Sequence, residues 1–310
     1  MITQKHTLLF AALLGFFTTT DSSAGGNTFL IEEVAPGIYL HTGSHTGLDE
    51  PGHDDIANIG FVTGNDCVAV IDTGGSVKTG NALREAISSI TDKPVCYVIN
   101  THVHFDHMLG NVVFANEKTE FLGHVNLPEA IEANREFFLE EFKEYLGDSP
   151  AGNSVIAPDK TVTDTLSLDL GDRKLILTAY KKSHTVTDLT ILDQKTKTLW
   201  TGDLVFRERI PVIDGSLKGW LEVMQELKAR DVALIIPGHG SAGKSWDEVI
   251  SAQETYLNAI LDQTRKAIAE GLFMEEAIDT IGLEEKDKWL LFDQHHKSNI
   301  SKSFVELEWE

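Results

Sequence analysis

One six-residue segment constrains this chain more than any other feature. His102-Val-His104-Phe-Asp106-His107 gathers three imidazoles and a carboxylate directly after the apolar run Val95–Ile99. Packing and solubility give no reason to collect those groups, whereas zinc favours imidazole first and carboxylate second. Alternate residues of an extended segment point the same way. His102 and His104 are therefore placed to grip one ion together, and Asp106 and His107, past the bend, to reach a neighbouring one. Open α/β sheets carry their sites at the carboxyl ends of strands, where this segment falls.

One segment cannot complete two tetrahedral sites, and three further candidates follow strand-like runs. His184 follows residues 174–180, Asp203 follows residues 198–200, and His239 follows residues 233–236. Gly202 and Gly238 allow the backbone to approach closely there. A single strand-end histidine is more often a surface residue than a ligand, so these three gain weight from the segment at 102–107. His41, His124, His295 and His296 read as ordinary histidines, and His6 lies in the leader described below. His45 and His53, in a Gly-, His- and Asp-rich loop over residues 42–55, are candidates for substrate contact. Asp72, in the strand-end turn Asp72-Thr-Gly-Gly75, is a candidate hydrogen-bond partner for a ligand histidine or its loop. Nothing in the sequence assigns Lys181, Lys182, Arg207 or Arg209 to substrate binding, and all four are compatible with solvated charges.

The rest of the chain supplies a scaffold for such a site. Residues 38–41, 58–62, 67–71, 95–99 and 120–123 read as strands, with helical spacing over 82–90 and 127–146. Strands are expected again at 166–170, 174–180, 189–192, 198–200 and 233–237, with helices at 217–228 and 245–270. Ser245 with Glu248 forms a capping-box pattern. Two similar halves of alternating strands and helices predict an α/β fold, a four-layer αβ/βα sandwich. Residues 25–244 form its catalytic domain, and 245–310 a C-terminal helical extension of the same domain.

Lys5, the apolar run over residues 7–17 and the small polar stretch to Ala24 predict a signal peptide at 1–24. That run is shorter than the ~20 residues needed to span a bilayer, so no stable membrane span is expected after cleavage, and the location is periplasmic or secreted. The formal net charge of −22 argues against nucleic acid as a partner, which leaves a small-molecule substrate. Cys67 and Cys96 could pair in an exported chain; the favoured reading is two small buried hydrophobes.

The run from His102 to His107 is similar to the His-x-His-x-Asp-His signature of the metallo-β-lactamase superfamily. The later His184, Asp203 and His239, and the turn Asp72-Thr-Gly74, match in order and context, so the resemblance spans about residues 29–241. It implies a hydrolase with two zinc ions per chain. His102, His104 and His184 would hold one, and Asp106, His107 and His239 the other. Asp203 and a hydroxide would bridge them, with Asp106 and Asp203 orienting that nucleophile. Many zinc β-lactamases carry Cys or Ser where Asp203 stands; the aspartate resembles glyoxalase II, lactonases and related esterases. Residues 55–61, 201–205, 214–217, Gln294-His-His, Asn299 and 306–309 resemble the exported quinoprotein relay system zinc metallohydrolases, the SoxH-like group. The expected substrate is an ester, thioester, lactone or related carbonyl compound. The alternatives are a β-lactamase, a one-iron sulfur dioxygenase, and a non-hydrolytic metal-binding protein or chaperone of a periplasmic oxidation pathway.

Overall fold

The computed structural model describes residues 29–115, 118–147 and 155–310; the predicted signal peptide lies outside them. Among the described residues, twelve strands form two sheets. The first holds β1 (Glu32–Ala35), β2 (Ile38–His41), β3 (Ile59–Thr63), β4 (Val68–Ile71), β5 (Val95–Ile99), β6 (Glu120–His124) and β7 (Lys160–Val162), hydrogen-bonded in that order. The second, in the order β12-β11-β10-β9-β8, holds β8 (Thr165–Asp169), β9 (Lys174–Ala179), β10 (Leu189–Asp193), β11 (Thr198–Phe206) and β12 (Leu234–His239). Among the described residues, seven α-helices accompany the sheets, besides short 3-10 helices: α1 (Val77–Ile90), α2 (Phe105–Met108), α3 (Leu127–Glu141), α4 (Leu217–Lys228), α5 (Trp246–Ala269), α6 (Met274–Ile278) and α7 (Phe292–Leu307). No helix among the described residues is long and apolar enough to cross a membrane.

The predicted four layers follow from where each strand's apolar residues go. Ile38, Val62, Ala69, Ile71 and Ile99 of the first sheet meet Leu175, Leu177, Ile191, Trp200 and Ile236 of the second in a central apolar core. The opposite face of the first sheet, Phe61, Val68, Val70 and Val98, is covered by Leu83 and Ile87 of α1. The far side of the second sheet is covered by α4, α5 and α7 through Trp220, Val223, Tyr256, Ile260 and Phe304. Strands buried on both faces read as continuous apolar runs, which is why residues 67–71 and 95–99 are conspicuous in the sequence.

Several local expectations are corrected. β11 continues through Gly202 and Asp203 to Phe206, with every residue buried, where a strand over 198–200 was expected. β10 pairs with residues 198–200 alone, but the parallel pairing with β12 continues irregularly past them, at Gly202 with Pro237 and at Phe206 with His239, and carries the strand through Asp203. Gly202 takes φ +50° in mid-strand, against the Thr101 side chain. α3 stops at Glu141, a turn earlier than its periodicity suggests. The short edge strands β1 and β7 were not expected, since neither alternates clearly. At α5 the Ser245 hydroxyl accepts from Glu248 N, but the Glu248 carboxylate accepts from Lys244 N instead of closing the box.

Cys67 and Cys96 are joined in a disulfide, with Cα atoms 5.8 Å apart. The reading as two separate buried hydrophobes is corrected. Cys67 immediately precedes β4 and Cys96 lies on β5, and those strands pair in parallel, so the ladder brings the two thiols side by side.

Candidate metal centre

The segment Asn100–His107 leaves the carboxyl end of β5 and is pinned before any ligand is considered. Asp72, at the end of β4 with φ +54°, accepts from Thr101 N at 2.8 Å and from Thr101 Oγ1 at 2.7 Å. Thr73 N and Asn100 Nδ2 both donate to His107 O. The loop carrying His184 is closed by the Asp188 carboxylate, which accepts from Thr185 N, Thr185 Oγ1 and Ser183 Oγ. Asp203 projects from the middle of β11, and a Cβ at residue 238 would collide with its Oδ1, so only glycine fits beside it. His239 ends β12, where Asn58 Nδ2 donates to Pro237 O and Gly240 O.

These anchors bring all seven sequence candidates into one buried cluster. His104 Nδ1 lies 3.1 Å from both His102 Nε2 and His184 Nε2. Asp106 Oδ2 lies 3.5 Å from His107 Nε2 and 3.4 Å from His239 Nε2. Asp203 stands between: Oδ2 is 3.6 Å from His102, 3.5 Å from His184 and 3.3 Å from His239, while Oδ1 is 3.2 Å from His107 Nε2. The donor atoms form two sets, His102, His104, His184 and Asp203, and Asp106, His107 and His239, each compact enough to hold one ion.

The outer nitrogens determine which ring atoms face inward. His184 Nδ1 donates to Val212 O at 2.7 Å and His239 Nδ1 to Ile56 O at 2.8 Å. His107 Nδ1 donates to Asp72 Oδ2 at 2.8 Å, and His104 Nε2 to Asp214 Oδ2 at 3.1 Å. The Thr101 hydroxyl gives its proton to Asp72, so it accepts from His102 Nδ1 at 3.0 Å. Each ring therefore spends its proton outward and turns a lone pair inward. His107 Nε2 and Asp203 Oδ1 are buried without any hydrogen-bond partner. Lone pairs facing one another at about 3 Å, with orphaned buried atoms among them, suit a cation. The imidazole-and-carboxylate donor set fits zinc.

Charge in the cluster is uneven. Burial raises the Asp203 pKa, but the imidazoles of His239, His107 and His102 outweigh it and hold the carboxyl well below the usual carboxylate range. Burial, followed by the neighbouring His107, pushes His102 well below an ordinary histidine. The hydrogen bond from His104 depresses Asp214, and Lys302 of α7 pairs with that same carboxylate.

The remaining histidines divide. His41 bridges Leu30 O and Asp55, His124 bridges Tyr180 O and Asn126 N, and His296 bridges Tyr256 Oη and Ile281 O, all as structural links. His53 is held by Glu50 O and packs on Tyr145. His45 meets Glu208 at 3.3 Å. Two residues near the cluster were missed. His295, read as ordinary, is pushed down to about 4 by burial and by the charges of Arg209 and His239. Arg209, which the sequence left unassigned, is only 3% exposed. Arg209 sits in no motif, and the signal for His295 was the Gln294-His-His segment of the tail.

Comparison with known proteins agrees with this architecture. A curated relative, the linear primary-alkylsulfatase of Pseudomonas sp. (strain ATCC 19151), is 21% identical over 253 residues, which is 69% of this chain and 48% of that protein. The chain thus spans about half the length of that relative. Among solved structures, the stereoselective inverting sec-alkylsulfatase Pisa1 from Pseudomonas sp. is similar with TM-score 0.66 and 17% identity, covering 88% of this chain and 49% of that one. A metallo-beta-lactamase from Pontibacter korlensis is similar with TM-score 0.59 and 19% identity, covering 74% and 98%. The profile of the metallo-beta-lactamase superfamily matches residues 52–239, more than half of the chain and the span holding all seven clustered residues, so this chain belongs to that superfamily.

Proposed function

We propose that this protein is an exported hydrolase with two zinc ions that cleaves an ester, thioester or lactone. His102, His104 and His184 would hold one ion, Asp106, His107 and His239 the other, with Asp203 between them. Ions held there supply Lewis acidity, lowering the pKa of water and polarising a substrate oxygen. The chain's own groups do the rest. Asp106 and Asp203 are placed to orient an attacking water and accept its proton. Asp72, Asp214, Thr101 and the carbonyls of Val212 and Ile56 keep the imidazoles turned inward.

The observation that carries this reading is Asp203, which reaches both donor sets and keeps them entirely nitrogen and oxygen. Both cysteines are consumed in the disulfide, so no thiolate enters the site. Two complete donor sets argue against a one-iron dioxygenase and against a purely structural role. The test is kcat/KM for activated esters, thioesters, lactones and β-lactams on zinc-loaded protein. β-Lactam turnover far above all the others would overturn the reading. A sulfate ester is the second reading, favoured because the matching relative and the solved structure covering 88% of this chain are both alkylsulfatases; alkyl sulfates belong in the same panel.

We further infer, from residues 55–61, 201–205, 214–217 and the tail motifs, a kinship with the exported quinoprotein relay system zinc metallohydrolases. The disulfide supports an oxidising compartment, periplasmic or secreted. N-terminal sequencing of exported protein should begin near Gly25; an intact Met1 on soluble cytoplasmic protein would contradict export.

A further inference from the structure

Three polar side chains of α7 grip a single stretch of irregular backbone. Asn299, Lys302 and Glu306 recur at helical spacing and share one face of the helix. Asn299 is fully buried; its Oδ1 accepts from Ile213 N at 2.9 Å and its Nδ2 donates to Pro211 O at 2.7 Å. Lys302 Nζ pairs with Asp214 Oδ1. The Glu306 carboxylate accepts from Ser216 Oγ at 2.6 Å and from Leu217 N at 2.7 Å, where α4 begins. Residues 211–216 form neither helix nor strand. Their buried backbone groups therefore need partners of this kind to hold one position.

That same stretch orients one half of the cluster. Val212 O accepts from His184 Nδ1 at 2.7 Å, and Asp214 Oδ2 accepts from His104 Nε2 at 3.1 Å. Asp214 N donates to His184 O and Ser216 N to Ser183 O. A Cβ at Gly215 would strike Ser183 O, so the stretch lies directly on the loop that carries His184. Two of the three imidazoles in the first donor set thus take their orientation from backbone and a carboxylate that α7 holds. The second set is held elsewhere. His107 is turned by Asp72 at the end of β4, and His239 by Ile56 O; Asn299, Lys302 and Glu306 bond to neither. Groups that fix the outer nitrogen of a ligand imidazole set how well its inner nitrogen meets an ion.

We propose that Asn299, Lys302 and Glu306 are positioning residues through which the C-terminal helix completes the first metal site, so that loosening this stripe releases the ion of His102, His104 and His184 ahead of the other. The proposal rests on the assignment of two metal-holding sets and not on the reaction, and its test needs no turnover. The probe is zinc alone, on the full chain. In His239→Ala the first set is left to load, and in His102→Ala the second. Chelator competition then gives zinc affinity at each set, with and without the added changes Asn299→Ala or Lys302→Ala/Glu306→Ala. Each change should weaken binding about tenfold or more at the first set and leave the second within about twofold. A difference between the two sets below about threefold in both variants would make the stripe a general packing contact and overturn the proposal. A second arm uses no change in α7, because coupling between helix and ion is reciprocal. Zinc added to His239→Ala should slow amide exchange over residues 299–307 by about threefold or more beyond the slowing it causes in His102→Ala. A smaller difference overturns the proposal, and this arm decides if neither variant of α7 folds. Wild type that takes up no zinc overturns the metal assignment and the proposal with it, whereas wild type that loads zinc at two sets equally indifferent to α7 overturns the proposal alone.

Discussion

His107 and Asp72 share a hydrogen bond of 2.8 Å in which both side chains are almost completely buried. The same carboxylate holds Thr101 by two further bonds, so a single group sets the ring of His107 and the loop that carries His102. Asp72 adopts φ +54°, which asparagine tolerates as well as aspartate. Asp72→Asn should therefore fold while losing the charge that orients His107. Metal affinity should drop about 10–100-fold, the usual effect of removing such a partner. Competition with a chelator measures it, and wild-type affinity in the variant would refute the orienting role.

Metal content tests the two donor sets separately. Fully loaded protein should carry about two divalent ions per chain. His102→Ala should empty one set and His239→Ala the other, each losing about one ion by elemental analysis. Asp203→Asn, which touches both, should weaken retention at both and lower kcat where ions remain. Full stoichiometry and activity in both alanine variants would show the assignment to be wrong.

The disulfide closes a loop with a sequence separation of 29. Chain entropy over that length predicts a loss of about 3.6 kcal/mol on removing it. Cys67→Ala/Cys96→Ala should melt roughly 5–10 °C lower, and reduced wild type should match the double variant in thermal unfolding. No change in Tm would mean that the bridge adds nothing beyond the β4–β5 ladder.

Asp193 and Arg173 form a buried bidentate pair with both oxygens at 2.9 Å. Burial raises the Asp193 pKa, but Arg173 and Thr196 outweigh it and bring it below the ordinary value. The native state thus binds this proton less readily than the unfolded chain. The pair's contribution is complete above the unfolded carboxylate pKa of about 4 and is lost as pH falls below it. Asp193→Ala leaves Arg173 buried and unpaired and should cost about 3–5 kcal/mol at neutral pH. Denaturant unfolding at pH 7 and pH 3 should show the gap between wild type and variant narrowing in acid; a constant gap would exclude the linkage.

The amino-acid sequence alone determined the strand-end positions of most candidate ligands and the layered α/β plan, because both are written in short-range patterns. Continuous apolar runs such as residues 67–71 and 95–99 announce strands buried on both faces, and His102 to His107 is a dense local signal. Tertiary structure decided the rest through pairings distant in sequence. Asp203 read as lying past a strand ending at residue 200, and only the pairing of β11 with the distant β12 carried the strand through it. Cys67 and Cys96 became partners only when β4 and β5 lay side by side. Arg209, ordinary in sequence, proved to be buried beside His239. Burial and partnership are properties of the packed whole, and a one-dimensional pattern records them only where the partners are near neighbours along the chain.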